Sequence, residues 1–574
     1  MAAATNVIDD TLPSLPKDVR PPITSYSPSM WGDTFTSFSS DDKVQEEHAQ
    51  AIKELKEEAR RMVLAEGSKA DKLILIDTIE RLGLGYQFEQ EIEDQLRENF
   101  KFQSDDKDQH DCDLFTTALQ FRLLRQHRYF VSCDVFNKFK GEDNKFEETL
   151  SSDAKGLLSL YEAANVRIHG EDVLEDAVAF TTDQLKRTVQ RLEPVLQCQV
   201  KRALEQPLHR GVPRVEARYY ISFYEMDESK NTILLKLAKL DFNYLQNLYK
   251  QELHDLSRWW KELDLISKLP YVRDRMVESY FWGMAFHFEP QYSYVRIAIG
   301  KILPMLTVMD DTYDNYATLE EADLFTEILE RWDINEIDRL PDYMKIIYRF
   351  ILNLNEDYEI EATKQGKLFA VPYAKRTLKQ VAKAYNQHMQ WFMGGQMPTY
   401  EEYIVNTVVT SCIYVILLGI IPGIKSASNE TIDWLMTEPK ALIASTRVCR
   451  YADDVGSDEI VISFICYDFI VFAFGKKREG KGGTMPTAVD CYVKQYGASK
   501  EEAVDKFNEL FEDAWKDLNT EWSTKTTSKD MMEELLNHAR VAELTYKNGR
   551  DGYTNPQKYL APQIVALFVH PILI

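Results

Sequence analysis

The chain has 574 residues, with 68 Lys plus Arg against 92 Asp plus Glu and a formal net charge of −24. That excludes a broad electrostatic grip on nucleic acid or anionic lipid, so any polyanionic ligand has to be held locally. Hydrophobic residues make up 44% of the chain, ample for a large core, and 23 Gly and 20 Pro argue against turn-rich β architectures and glycine-looped nucleotide folds.

The opening residues, MAAATNVIDDTLPSLPKDVR, carry acids and no apolar h-region, so neither a secretory leader nor a transit peptide is read there. Seven scattered cysteines (Cys112, Cys133, Cys198, Cys412, Cys449, Cys466, Cys491) form no C-x-x-C pair, which indicates neither a disulfide framework nor a zinc site. A reducing cytosol is the expected location. Residues 1–40, rich in Pro, Ser and Thr, are expected to form an extended arm outside the core. Helices begin after it. Ile52, Leu55, Ala59, Met62 and Val63 follow the 3-and-4 spacing of an amphipathic helix, and Glu57 precedes Arg61 by four residues, the spacing of a helical ion pair. Phe507, Leu510, Phe511, Ala514 and Leu518 repeat the pattern near the other end. No segment alternates as a strand, and no short repeat of the solenoid kind is present. The expected fold is all-α in two helical domains, 41–228 and 229–574, divided at the polar break YEMDESKNT (residues 224–232).

One segment is discordant. Residues 460–475, IVISFICYDFIVFAFG, hold a single charge, Asp468, and are β-branched and aromatic in an otherwise amphipathic chain. The run is shorter than the roughly 18 residues of a confident membrane-spanning helix, and no membrane association is expected.

The residues able to carry chemistry are acidic and cationic. Asp310, Asp311 and Asp314 end the apolar run ILPMLTVM. On a helix Asp310 and Asp314 share a face, with Asp311 about 100° round. Clustered carboxylates invite Mg2+, which prefers a few carboxylates, several waters and substrate phosphate oxygens. Alone the pattern is weak, because a solvated helix end gives the same letters. Asp453 and Ser457, in RVCRYADDVGSDE, place two more oxygen ligands on one helical face. Arg273 and Arg275 in VRDRM, with Arg450 just before Asp453, supply guanidinium forks suited to phosphate oxygens. Singly each arginine reads as a surface ion pair; together the three look like a diphosphate clamp.

These residues give the chain its resemblance to plant terpene synthases of the sesquiterpene type, over nearly its whole length. The R-x-R pair (Arg273, Arg275), FEPQY (residues 288–292), D-D-x-x-D (Asp310, Asp311, Asp314), a second metal motif opening with Asp453, and DGYT (residues 551–554) occur in the family's order. Arg20, Pro21 and Trp31 match an amino-terminal R-(R/P)-x8-W element, with nine intervening residues in place of eight. The resemblance implies a carboxy-terminal catalytic domain and three Mg2+ ions, replaceable by Mn2+, around the diphosphate of a small prenyl substrate. Asp310 and Asp314 would hold two ions, and Asp453 and Ser457 the third. Arg273, Arg275 and Arg450 would hold the diphosphate, while Trp282, Tyr546 and Tyr553 would line or close an aromatic cation pocket. It further implies a monomer, farnesyl diphosphate as substrate and a cyclic sesquiterpene as product. The alternatives are a monoterpene synthase acting on geranyl diphosphate, or a catalytically silent protein of the same fold. No D-x-D-D acid of protonation-started cyclases is spelled in residues 105–113, and no second D-D-x-x-D of chain-elongating prenyltransferases occurs.

The departure from the family lies in the second metal motif, (N/D)-D-x-x-(S/T)-x-x-x-E. Its ninth position here is Val461, the second residue of the apolar segment. An insertion within residues 460–475 that removed the Glu is the reading that results. Glu459 points roughly 200° from the required direction on a helix and is no substitute.

Overall fold

The structure, a computed structural model, describes residues 20, 26–103, 112–456, 487–524, 527–547 and 550–574. Ser457 and the apolar segment 460–475 lie outside the described residues. Local signals start many of the helices: Asp41, Ser68, Asp113, Asp153 and Asn231 each accept a backbone N–H of the helix that follows, and Thr318 and Thr399 form full capping boxes. Eight helices make the first block: α1 Asp42–Leu64, α2 Lys69–Arg81, α3 Glu89–Gln103, α4 Leu114–Gln126, α5 Ala154–Ala164, α6 Asp172–Thr188, α7 Pro194–Glu205 and α8 Pro213–Met226. The expected polar break is the turn between α8 and α9 (Thr232–Leu263). There follow α10 Leu265–Lys268, α11 Met276–Phe286, α12 Ser293–Asn315, α13 Leu319–Arg331, α14 Asp342–Lys364, α15 Val371–Met393, α16 Tyr400–Thr410, α17 Ile413–Ile420, α18 Asn429–Met436 and α19 Lys440–Gly456. The chain closes with α20 Ala488–Tyr496, α21 Lys500–Thr524, α22 Lys529–Tyr546, α23 Pro556–Tyr559 and α24 Ala561–Phe568. Among the described residues there is no strand, only an isolated bridge between Lys140 and Phe146. The expected all-α class is the fold observed.

Both helical stripes face inward, with Ala59 and Val63 buried on α1 and Phe507, Ala514 and Leu518 buried on α21. Two expectations need correction. Trp31 and Phe35, assigned to an arm outside the core, are 6% and 3% exposed and belong to the main hydrophobic cluster. Trp31 is held there by its indole N–H, which donates to Glu278 Oε1 at 2.8 Å. Glu57 pairs with Arg60, not Arg61, whose Nε instead donates to the Glu57 carbonyl.

Helix packing sets the site. α11 and α12 form an antiparallel pair so close that a Cβ at Gly283 would lie 2.6 Å from the Arg296 carbonyl oxygen, which only glycine permits. The pair brings the residues just before α11 to the C-terminal end of α12. α19 packs on α21 and α22, and α22 also packs on α11. The stretch Tyr400–Gly423 is long and apolar enough to cross a membrane by composition alone. Here it is a core element, more than half buried and broken into α16 and α17 at Cys412, which sits in the left-handed region at φ 61°.

Candidate active site

At the C-terminal end of α12 the carboxylates crowd around one guanidinium. Arg273 reaches Asp310 Oδ2 through a terminal nitrogen at 2.7 Å and Asp311 Oδ1 through Nε at 2.9 Å, while its backbone N–H donates to Asp311 Oδ2 at 2.8 Å. Burial would lower the Arg273 pKa, but Asp311, Tyr26 and Asp310 outweigh it and hold the group well above its ordinary value. Asp311 is fully buried and also accepts from Asn315 Nδ2 at 3.1 Å. It acts as the seat of Arg273, while Asp310, on the same helix face as Asp314, stays part-exposed at 18%. Tyr26 completes the cluster: its hydroxyl accepts from Asn315 Nδ2 at 2.7 Å.

On α19 Arg450 pairs with Asp453 at 3.0 Å and with Asp454. Those two acids lift its pKa well above normal against the opposing pull of burial. Asp454 is itself buried and caps α20 by accepting the Ala488 N–H at 3.3 Å. Tyr546, at the end of α22, has its hydroxyl pKa raised chiefly by burial and next by the charges of Asp453 and Asp551. Tyr553 is buried, and its hydroxyl meets Ser279 Oγ at 3.0 Å and Thr307 Oγ1 at 2.8 Å. Trp282 on α11 is 5% exposed, with ring centroids 6.4 Å from Tyr546. The break between α16 and α17 lies beside the same end. Cys412 Sγ is 3.1 Å from the Tyr385 hydroxyl, and after burial and Cys412 it is Asp310 that most raises that phenol.

Arg275, expected to hold diphosphate together with Arg273 and Arg450, donates here to backbone carbonyls. Its Nε and one terminal nitrogen donate to the carbonyls of Tyr553 (2.9 Å) and Thr554 (2.8 Å), and the other to Asp274 O at 2.8 Å. It anchors the Asp551–Thr554 loop and has no ion pair with the carboxylates. Arg273 reaches the same loop through Thr554 Oγ1 at 3.1 Å. Sequence reasoning missed Tyr26, Asn315, Asp454, Tyr385 and Cys412. Only Asn315, four residues after Asp311, and Asp454, beside Asp453, carry a local signal.

Asp310 and Asp311 share Arg273, with Asp314 one turn on from Asp310, and Asp453 and Asp454 share Arg450, so acids outnumber the arginines that pair with them. Its donors are hard carboxylate oxygens of the kind Mg2+ takes. Among the described residues no group of three or more His, Cys, Asp or Glu side chains could hold a metal ion. That donor set fits an ion completed by water and substrate phosphate rather than one enclosed by protein alone.

Comparison with known proteins agrees with this chemistry. The family described as "Terpene synthase, N-terminal domain" matches residues 30–204, and "Terpene synthase family, metal binding domain" matches 261–463 and 472–517. The interruption falls inside the apolar segment. The chain is 50% identical to a gamma-cadinene synthase of Ocimum basilicum, over 98% of this chain and 99% of that protein. It is 48% identical to a tau-cadinol synthase of Lavandula angustifolia, over 97% and 98%. Among solved structures, isoprene synthase from grey poplar leaves (Populus x canescens), in complex with three Mg2+ ions and dimethylallyl-S-thiolodiphosphate, superposes with a TM-score of 0.84 at 33% identity, over 93% of this chain and 98% of that one. The chain belongs to the terpene synthase family, whose metal-binding domain includes the helices that carry Asp310, Asp314 and Asp453.

Proposed function

We propose that the chain is a cytosolic, monomeric sesquiterpene synthase that ionises farnesyl diphosphate, releases diphosphate and cyclises the carbocation. The observation that carries the reading is the anionic bundle end, where Asp310, Asp314 and Asp453 accompany Arg273 and Arg450 next to the buried rings of Trp282 and Tyr553 and the half-buried ring of Tyr546. The cadinene and cadinol in the relatives' names are fifteen-carbon terpenoids, which favours farnesyl over geranyl diphosphate.

Asp310, Asp314 and Asp453 would hold Mg2+, with Ser457 as a further ligand; three ions are expected, and Mn2+ is expected to substitute. Bound Mg2+ supplies Lewis-acid neutralisation of the charge on a leaving diphosphate. Arg273 and Arg450 bind diphosphate oxygens once they release part of their hold on the acids, and Asp311 keeps Arg273 aimed at the site. Arg275, by pinning the carbonyls of Tyr553 and Thr554, holds the loop that closes over the substrate. Trp282 and Tyr546 offer aromatic faces to the cation, and the hydroxyl of Tyr553, occupied by Ser279 and Thr307, is kept from acting as a nucleophile. Val461 in place of a ligand Glu lowers the expected rate, which is the observation favouring a weak or silent enzyme.

The test is incubation of the full chain with farnesyl or geranyl diphosphate at saturating Mg2+, with hydrocarbons identified by gas chromatography and mass spectrometry. Cyclic fifteen-carbon products from farnesyl diphosphate are expected. Ten-carbon products alone would make it a monoterpene synthase, and no product from either would make it a silent member of the family.

A further inference from the structure

Two buried polar atoms next to the proposed cation pocket have no hydrogen-bond partner: Nε1 of Trp282 and Nε2 of His538. His538, on α22, is fully buried. The two rings meet nearly edge to face, with centroids 6.1 Å apart and planes at 65°. Orphaned buried donors and acceptors are costly and rare, so two of them in contacting rings call for a joint explanation.

They are chemically complementary, and the tautomer of His538 follows from its other neighbour. Ser445 on α19 has one hydroxyl proton, which it donates to the Leu535 carbonyl at 2.8 Å. In its 2.9 Å contact with His538 Nδ1 the hydroxyl oxygen therefore accepts, and Nδ1 carries the ring proton. Burial keeps the imidazole neutral, drawing its pKa down to about 3. Nε2 is left as a lone pair, and the Trp282 indole N–H as a proton without an acceptor.

We infer that His538 is a positioning residue for cyclisation, its Nε2 accepting the Trp282 indole N–H after a small rotation of the ring and so setting the tilt of the indole face toward the carbocation. Attraction between a cation and an aromatic ring depends on the cation lying over the face, so the tilt weights competing ring closures. The chain Ser445, His538, Trp282 also ties α19, which carries Arg450 and Asp453, to the cation-facing side of α11. The catalytic consequence rests on the proposed terpene cyclisation; the hydrogen bond itself does not.

Two measurements test it. The ultraviolet resonance Raman difference spectrum between the wild-type chain and Trp282→Phe isolates the Trp282 indole band that reports N–H hydrogen bonding, with no substrate present. Product ratios from farnesyl diphosphate are then compared among wild type, His538→Leu, His538→Gln and Ser445→Ala. A hydrogen-bonded indole is expected in wild type and His538→Gln, whose amide oxygen reaches the same place, and a free one in His538→Leu. The ratio of major to minor products should shift about fivefold in His538→Leu, which corresponds to about 1 kcal/mol, and return toward wild type in His538→Gln. Ser445→Ala, free to take either tautomer, should fall between them, and KM should change by less than about twofold in all three. A free indole in the wild-type chain, or a His538→Leu protein with wild-type band and ratio, overturns the inference. If no variant forms product, the proposed function fails while the Raman comparison still decides the hydrogen bond.

Discussion

His127 and Arg273 are both cations set between carboxylates, and they close their clusters to different degrees. His127, in the first helical block, has Nε2 2.7 Å from Glu80 and Nδ1 3.1 Å from Glu93, and Glu93 also accepts the Tyr129 hydroxyl at 2.8 Å. Burial opposes the imidazolium, but the two carboxylates raise its pKa to about 9, and the hydrogen bond from His127 leads the effects that lower Glu93 to about 2. Lys529, paired with Glu89 and Glu533, adds a second positive charge in the neighbourhood of Glu93. Arg273 instead pairs with Asp310 and Asp311, with Asp314 one helical turn on from Asp310, while the neighbouring Arg275 spends its donors on carbonyls. Two acids that clasp one buried imidazolium brace the fold; three acids crowded onto one helix end hold room for an incoming cation.

The largest expected break in that comparison is Asp310→Ala, which should lower kcat by about 10^3-fold because a metal-bridging carboxylate acts most as charge develops on the leaving group. Steady-state release of diphosphate measures it, and wild-type turnover by this variant would refute the assignment. Arg273→Ala and Arg450→Ala should each cost about 10^2-fold in kcat/KM through lost diphosphate binding, with Glu93→Gln close to wild type in the same assay. Replacing residues 460–475 with Phe-Glu would put a Glu at the ninth position of the second metal motif and remove an apolar, β-prone stretch. It should raise turnover roughly tenfold and increase soluble yield; equal activity of the unedited chain would show the segment to be harmless.

The smallest effect concerns the closed cluster. The folded pKa of His127 is raised, so its stabilisation is complete below the unfolded value near 6.5 and is lost as pH rises through about 9. Urea unfolding at pH 6.5 and pH 9.5 should therefore differ by more in wild type than in His127→Gln, by on the order of 2 kcal/mol. An identical pH dependence in the two proteins would contradict the cluster's role.

Most of the architecture is readable from spacing, because stripes such as Phe507, Ala514 and Leu518 report the face a helix buries. The metal and arginine motifs were legible as letters, but their partners were not. Arg275 reads like a second clamp arginine, yet its donors are taken by the carbonyls of a loop nearly 280 residues away in the chain. Trp31 lies in a Ser- and Thr-rich arm with no helical period, and its burial depends on the core it joins with Phe35 and on the Glu278 carboxylate across the fold. Tyr26 and His538 carry no motif. Such choices are tertiary, and local pattern does not encode them.

The central claim is that the end of α12 and α19, and not the His127 cluster, holds the metal. Calorimetric titration of Mn2+ into the full chain with inorganic diphosphate present tests it directly, comparing wild type, Asp310→Ala and Glu93→Gln. The account predicts diphosphate-dependent Mn2+ binding in wild type and Glu93→Gln, and its loss in Asp310→Ala. Undiminished binding by Asp310→Ala, in a protein whose circular dichroism confirms folding, would contradict it.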